Sequence, residues 1–149
     1  MKKKMIYLGL LLFACAILYA ETGDESATLT SSVERRNLEP LIKPVWEHVI
    51  TWTYDLDDAG AETQAINING ILLKVVIDIP ITTTNGTTSQ VLIKDNGDHT
   101  IFDSGEQAEN ATYVFSLYEP LSGTIDISIE PSAAAGTNGS TPVVTIRGI

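Results

Sequence analysis

Beyond residue 20 the chain has no cysteine: its single one, Cys15, lies inside an apolar N-terminal run from Met5 to Ala20. A domain formed downstream of that run has no disulfide and must be held by packing alone. Basic residues are scarce, with 9 Lys and Arg against 19 Asp and Glu and a net charge of −10. That balance excludes a nucleic-acid partner, because phosphate binding needs a basic face. Aromatic residues make up only 7 %, too few for a wide stacking platform. Also missing are a G-x-S-x-G turn, a phosphate-cradling glycine loop and a nucleophile with a recognisable base, so no enzymatic activity is expected. Helical periodicity is absent from residue 21 onward.

What the N-terminus does have is an address. Lys2, Lys3 and Lys4 precede the apolar run, and Ala20 offers a small residue at a cleavage point. A basic segment followed by a short apolar one marks a secretory signal. The run is shorter than the ~20 residues that cross a bilayer core, which favours cleavage over a retained membrane anchor. Residues 1–20 are therefore expected to be a signal peptide or anchor, and the protein to be exported to the periplasm, cell surface or medium. Leu12-Phe13-Ala14-Cys15 also resembles a lipoprotein box, which makes Cys15 a candidate lipidation site. Removing residues 1–20 takes away three lysines and no acid, so the remainder carries a net charge of −13.

Residues 21–44 are polar, rich in Ser and Thr, and bracketed at their end by Pro40 and Pro44; they are expected to form an arm or linker. A domain is expected over residues 45–149. Within it Ile50, Trp52, Tyr54 and Leu56 alternate with polar residues, as a strand with one buried face does. Asn69-Gly70 lies between alternating apolar runs and predicts a tight hairpin with Ile68 opposite Ile71. A second hairpin is expected at Asn96-Gly97, with Val91 opposite Phe102 and Ile93 opposite Thr100. Tyr113, Phe115 and Leu117 share one strand face, Pro120–Gly123 is expected to turn a corner, and Ile125, Ile127 and Ile129 form the next strand. Val144 and Ile146 face inward on the last strand, with Arg147 outward. About eight short strands and no helix predict an all-β antiparallel β-sandwich, of jelly-roll or immunoglobulin-like arrangement.

Few residues stand out as candidates for a site. Asp95 and Asp98, with Asp103 nearby, gather oxygens of the kind Ca²⁺ prefers, although Asp and Asn populate turns for their own backbone hydrogen bonds. No other cofactor is implied. Trp46, just beyond Pro44, and Tyr118 are the candidate exposed aromatics for stacking on a sugar ring. Trp52 and Tyr54 share the apolar phase of their strand and are assigned to the core. His48 and His99, the only histidines, lie on different strands.

Ile101-Phe102-Asp103-Ser104-Gly105-Glu106, Pro120-Leu121-Ser122-Gly123-Thr124-Ile125 and Thr145-Ile146-Arg147-Gly148-Ile149 resemble small β-sandwich domains of bacteriophage structural proteins. The resemblance covers Trp52 to Ile149 and implies a virion surface or assembly role without catalysis. The signal-like N-terminus departs from that family's pattern. The sequence thus predicts a non-enzymatic structural or interaction module, exported or carried on a virion, that forms a homo-oligomer or joins a larger protein assembly. The alternative is a carbohydrate-binding module with a glycan partner, and either reading involves a membrane only through the N-terminal segment.

Overall fold

A computed structural model describes residues 26–35, 45–54, 59–84, 86–136 and 140–149. The expectations for residues 1–25, Cys15 included, for 36–44 and for Leu56 lie outside them. The described residues form eight strands and no helix: β1 (Ser26–Arg35), β2 (Val45–Thr53), β3 (Glu62–Ile79), β4 (Thr88–Asp95), β5 (Thr100–Asp103), β6 (Gln107–Ala108), β7 (Ala111–Pro131) and β8 (Val143–Gly148). All pairings are antiparallel, in the order β1-β2-β8-β3-β7-β4-β5, with β6 also on β4. Each element follows from two-residue alternation: in β2 Trp46, His48, Ile50 and Trp52 are buried while their neighbours are not.

The two long strands, β3 and β7, pair along their whole lengths and organise the rest. β8 pairs only with the C-terminal half of β3, from Leu72 to Asp78. β4 pairs only with the C-terminal half of β7, from Ile125 to Pro131. The sheet must therefore fold over on itself, and one hydrogen bond demonstrates it. The hydroxyl of Tyr54, next after β2, lies 2.5 Å from Ser89 Oγ on β4. Those strands are four places apart in the order, roughly 19 Å across a flat sheet at the usual strand spacing. Only a sheet doubled into two layers brings them into contact. Burial pushes the Tyr54 hydroxyl up to about 12, and the Ser89 hydrogen bond offsets this in part.

The fold line coincides with two segments expected to be turns. Asn69-Gly70 does not close a hairpin; β3 runs straight through it, with Asn69 opposite Ser122 and Gly70 opposite Leu121. Pro120–Gly123 likewise lies inside β7. The physical reason is that Ile66 and Ile68 gain a long-range partner in β7, where Ile66 faces Ile125 across the pair, while a local hairpin would leave the Ile125–Ile129 segment paired on its β4 side alone. Gly70 (φ +147°) and Gly123 (φ +92°) take backbone conformations closed to most side chains, which lets both strands bend together. Between Leu72 and Lys74 the register slips, with Leu117 and Tyr118 opposite Leu73 alone. This β-bulge moves the buried phase of β3 from Ile66, Ile68 and Leu72 to Val75, Ile77 and Ile79.

Between the layers lies one apolar core, including Ile50, Trp52, Leu72, Val75, Ile77, Val91, Ile93, Ile125, Ile127, Ile129, Val144 and Ile146. The β4–β5 hairpin forms as expected but in another register, Ile93 opposite Phe102. Its turn is longer than two residues: Asp98 N–H bonds the Asp95 carbonyl at 3.0 Å, and Asp98 itself has φ +62°. That is a three-residue loop with a left-handed residue and a bulge. Ser26–Arg35, read from sequence as part of a polar arm, is a strand paired with β2 and interrupted by a bulge between Leu29 and Ser31.

Candidate functional site

The acidic turn at Asp95 is organised around its own backbone. Asp95 Oδ1 accepts from the backbone N–H of Gly97 (2.8 Å) and His99 (2.9 Å) and lies 3.2 Å from His99 Nδ1. The His99 backbone bond, followed by those from Gly97 and the His99 ring, holds this carboxyl below the usual range. Asp98 turns away to pair with Lys94 Nζ at 2.8 Å. Asp103 is engaged by the Gln90 amide (2.8 Å) and the Gly105 N–H (2.8 Å), which also lower its pKa. The three carboxylates thus serve three separate local networks. Among the described residues no group of three or more His, Cys, Asp or Glu side chains is gathered to hold a metal ion.

A fourth carboxylate, Glu109, was not legible in the sequence. One oxygen takes the Thr82 N–H (2.7 Å) and hydroxyl (2.8 Å), and the other takes the Gly86 N–H (2.9 Å). It clasps the Thr-rich loop after β3 to the turn before β7, where Asn110 sits at φ +58°. The Thr82 backbone bond, then that of Gly86, holds the Glu109 carboxyl below its ordinary value. Because the folded value lies below the unfolded one, the clasp stabilises fully above about pH 4.3, the ordinary glutamate value, and is lost as pH falls through the lower folded value. Glu109→Gln should therefore speed amide exchange at Thr82 and Gly86 at neutral pH, and it should flatten the acid limb of a pH–stability curve. Unchanged exchange in the variant would sink this assignment. Chemically, Asp95, Asp103 and Glu109 act as acceptors for fixed donors, which favours their ionised form, the opposite of a general acid poised near neutrality.

The candidate aromatics separate. Trp46 is in the core, 6 % exposed, because β2 begins at Val45 and puts Trp46 in phase with His48 and Ile50. Its ring tilts against that of His48 at 5.6 Å. Tyr118 stands on the outer face of β7 and is 69 % exposed. Trp52 and Tyr54 are buried, as their phase required.

Tyr118 belongs to an open face. The layer formed by β1, β2, β8 and the C-terminal half of β3 with the N-terminal half of β7 turns its outer side to solvent. Register fixes its rows: Val114, Val76, Thr145, Val49 and Ser31 lie side by side across five strands. Beside them run Ser116, Lys74, Arg147 and Glu47, with Arg147 Nε bonded to Glu47 Oε2 at 2.5 Å. Val114 is 59 % exposed. Lys74, one of the few basic side chains, thus lies on the strand next to the most exposed apolar and aromatic positions of β7.

No protein-family model matches the chain, and no curated protein resembles it in sequence. Solved structures with partial similarity to the chain include a Yersinia pseudotuberculosis-derived mitogen (12 % identity over 66 % of this chain and 83 % of that one, TM-score 0.41). They also include an infectious bursal disease virus Gt strain structure (12 % identity, 85 % of this chain, TM-score 0.38), of whose chain only 37 % is spanned. A third is the C-terminal family 22 carbohydrate-binding module of a Clostridium thermocellum protein (10 % identity, 88 % and 89 % coverage, TM-score 0.38).

Proposed function

We propose that the chain is a non-enzymatic β-sandwich structural or interaction module, exported or virion-associated, which assembles with copies of itself. The observation that carries this reading is the division of labour among side chains. Asp95, Asp98, Asp103 and Glu109 are tied into turns and clasps, while Val114 and Tyr118 are held out on an open strand. A catalytic cleft would require the reverse, with titratable groups converging and apolar groups withdrawn. Export is assigned to residues 1–20, by cleavage or by lipidation of Cys15. Native mass spectrometry of the purified protein tests the reading. A mass at a fixed multiple of the chain is expected, and a strict monomer at every concentration would overturn it.

One observation favours a second reading, a carbohydrate-binding module. Tyr118 is exposed on the same sheet face as Lys74 of the adjoining strand, and a flat aromatic with a donor nearby suits a sugar ring. On this reading Tyr118→Ala abolishes retention on a glycan that binds the parent protein, without altering the fold.

A further inference from the structure

Among the described residues the folded-over sheet leaves four strand edges, of which two are blunted and a third is tied at both ends. β1 is bulged between Leu29 and Ser31. β5 is four residues long and ends in Asp103. The N-terminal half of β3 opens with Glu62, whose carbonyl accepts the Trp52 indole N–H at 3.2 Å, and closes at Ile71, whose N–H and carbonyl both bond Ile149. Protection of this kind is how proteins stop edges from pairing with other chains.

The fourth edge is the outer side of Ala111–Glu119 in β7. β3 covers one side of it, while β4 reaches β7 only from Ile125 onward. Among the described residues no strand pairs with the other side. Its sequence, Ala-Thr-Tyr-Val-Phe-Ser-Leu-Tyr from Ala111 to Tyr118, has no charge, proline or glycine. Four of the eight residues are aromatic or valine, and the whole is a strong strand former in a chain otherwise 19 % charged. An exposed, uncharged edge of this length is a template for strand addition.

We propose that this edge pairs with the same edge of a second copy, antiparallel about a two-fold axis at Val114, so that two layers become one continuous sheet. The inference rests on the self-assembly reading above and names its contact. Three constraints select the axis. Side chains must stay on their own faces, so residues of like parity pair and the axis passes through a residue. Asn110, at φ +58°, ends the extended run on one side. The bulge at Leu117 and Tyr118 ends regular pairing on the other. Centring on Val114 sets Thr112 against Ser116 and Tyr113 against Phe115, and it keeps both copies of Glu119 at the far ends. The exposed valines then meet each other on the outer face, and aromatic pairs form on the inner one. An isologous contact uses up the edge in each copy, so assembly through it closes at two chains.

Two variants test the contact on the purified protein. Val114→Lys places two like charges at the axis and, on an exposed position, leaves the fold intact; the native mass should fall from two chains to one. Val114→Cys sets the new thiols within the Cα separation a disulfide spans. It should give a covalent dimer under mild oxidation, which Thr63→Cys on the other layer should not. An oligomer that survives Val114→Lys and does not cross-link at position 114 would overturn this edge and leave the self-assembly reading standing. A parent protein that is monomeric at every concentration would overturn both. Open-ended aggregation of the parent, relieved by Val114→Lys, would overturn the closed two-fold geometry.

Discussion

Trp52→Ala is expected to cost about 3–5 kcal/mol, the range seen when a buried tryptophan is truncated. Trp52 has no exposed surface and is the largest fully buried side chain among the described residues. It sits at the C-terminal end of β2, where the two layers come together. Its indole N–H donates to the Glu62 carbonyl at 3.2 Å, fastening β2 to the first residue of β3. Next to it Tyr54 makes the contact with Ser89 on β4. Truncation therefore opens a cavity and also leaves the Glu62 carbonyl without its donor. A domain of this size has only about 5–15 kcal/mol of stability in all, so the variant should be marginal. Equilibrium denaturation reads the result: the midpoint should fall sharply with the slope unchanged. A loss below about 1 kcal/mol would mean that the layers are not held together at this corner.

Much of this architecture is written in two-residue alternation, because the rule that buries every second side chain acts locally. Ile125, Ile127 and Ile129 could be placed from the sequence for that reason, as could Val144 and Ile146. The same rule locates Trp52 and Tyr54 in the core. What alternation does not encode is which strand meets which. Asn69-Gly70 carries every local mark of a tight turn, yet β7 supplies a better partner for Ile66 and Ile68 than their own neighbours do. The dipeptide is used for a bend within a strand instead. At Asn96-Gly97 the turn is present, but Asp98 in the left-handed region lengthens the loop and moves the register. Candidate residues divide along the same line. Tyr118 alternates outward and is exposed. Trp46 is withdrawn because the strand begins one residue after Pro44. Glu109 binds a loop 27 residues away in the chain, a relation no local pattern expresses.

Gly148→Ala should be a costly single-methyl change. Trp46 and Gly148 face each other across β2 and β8, and the indole occupies the space a side chain would need. A Cβ built on Gly148 would fall 2.1 Å from Trp46 Cζ2 and 2.2 Å from the Ile71 carbonyl oxygen. The ring could swing aside by giving up its burial. The oxygen cannot, because Ile149 N–H donates to it at 3.1 Å while Ile71 N–H donates to the Ile149 carbonyl at 2.7 Å. Relief must then come from parting β8 from β3 at the fold line. Overpacking of a tight core site costs about 1–3 kcal/mol and sometimes more, and the backbone obstacle puts this position at the upper end. Thermal unfolding measures the loss, and a red shift in tryptophan emission would show the Trp46 ring moving toward water. A double-mutant cycle with Trp46→Leu separates the two obstacles. If the ring alone were responsible, the second change would restore most of the stability. Because the Ile71 carbonyl stands equally close, only partial recovery is expected, and full recovery would refute the backbone's part in the constraint.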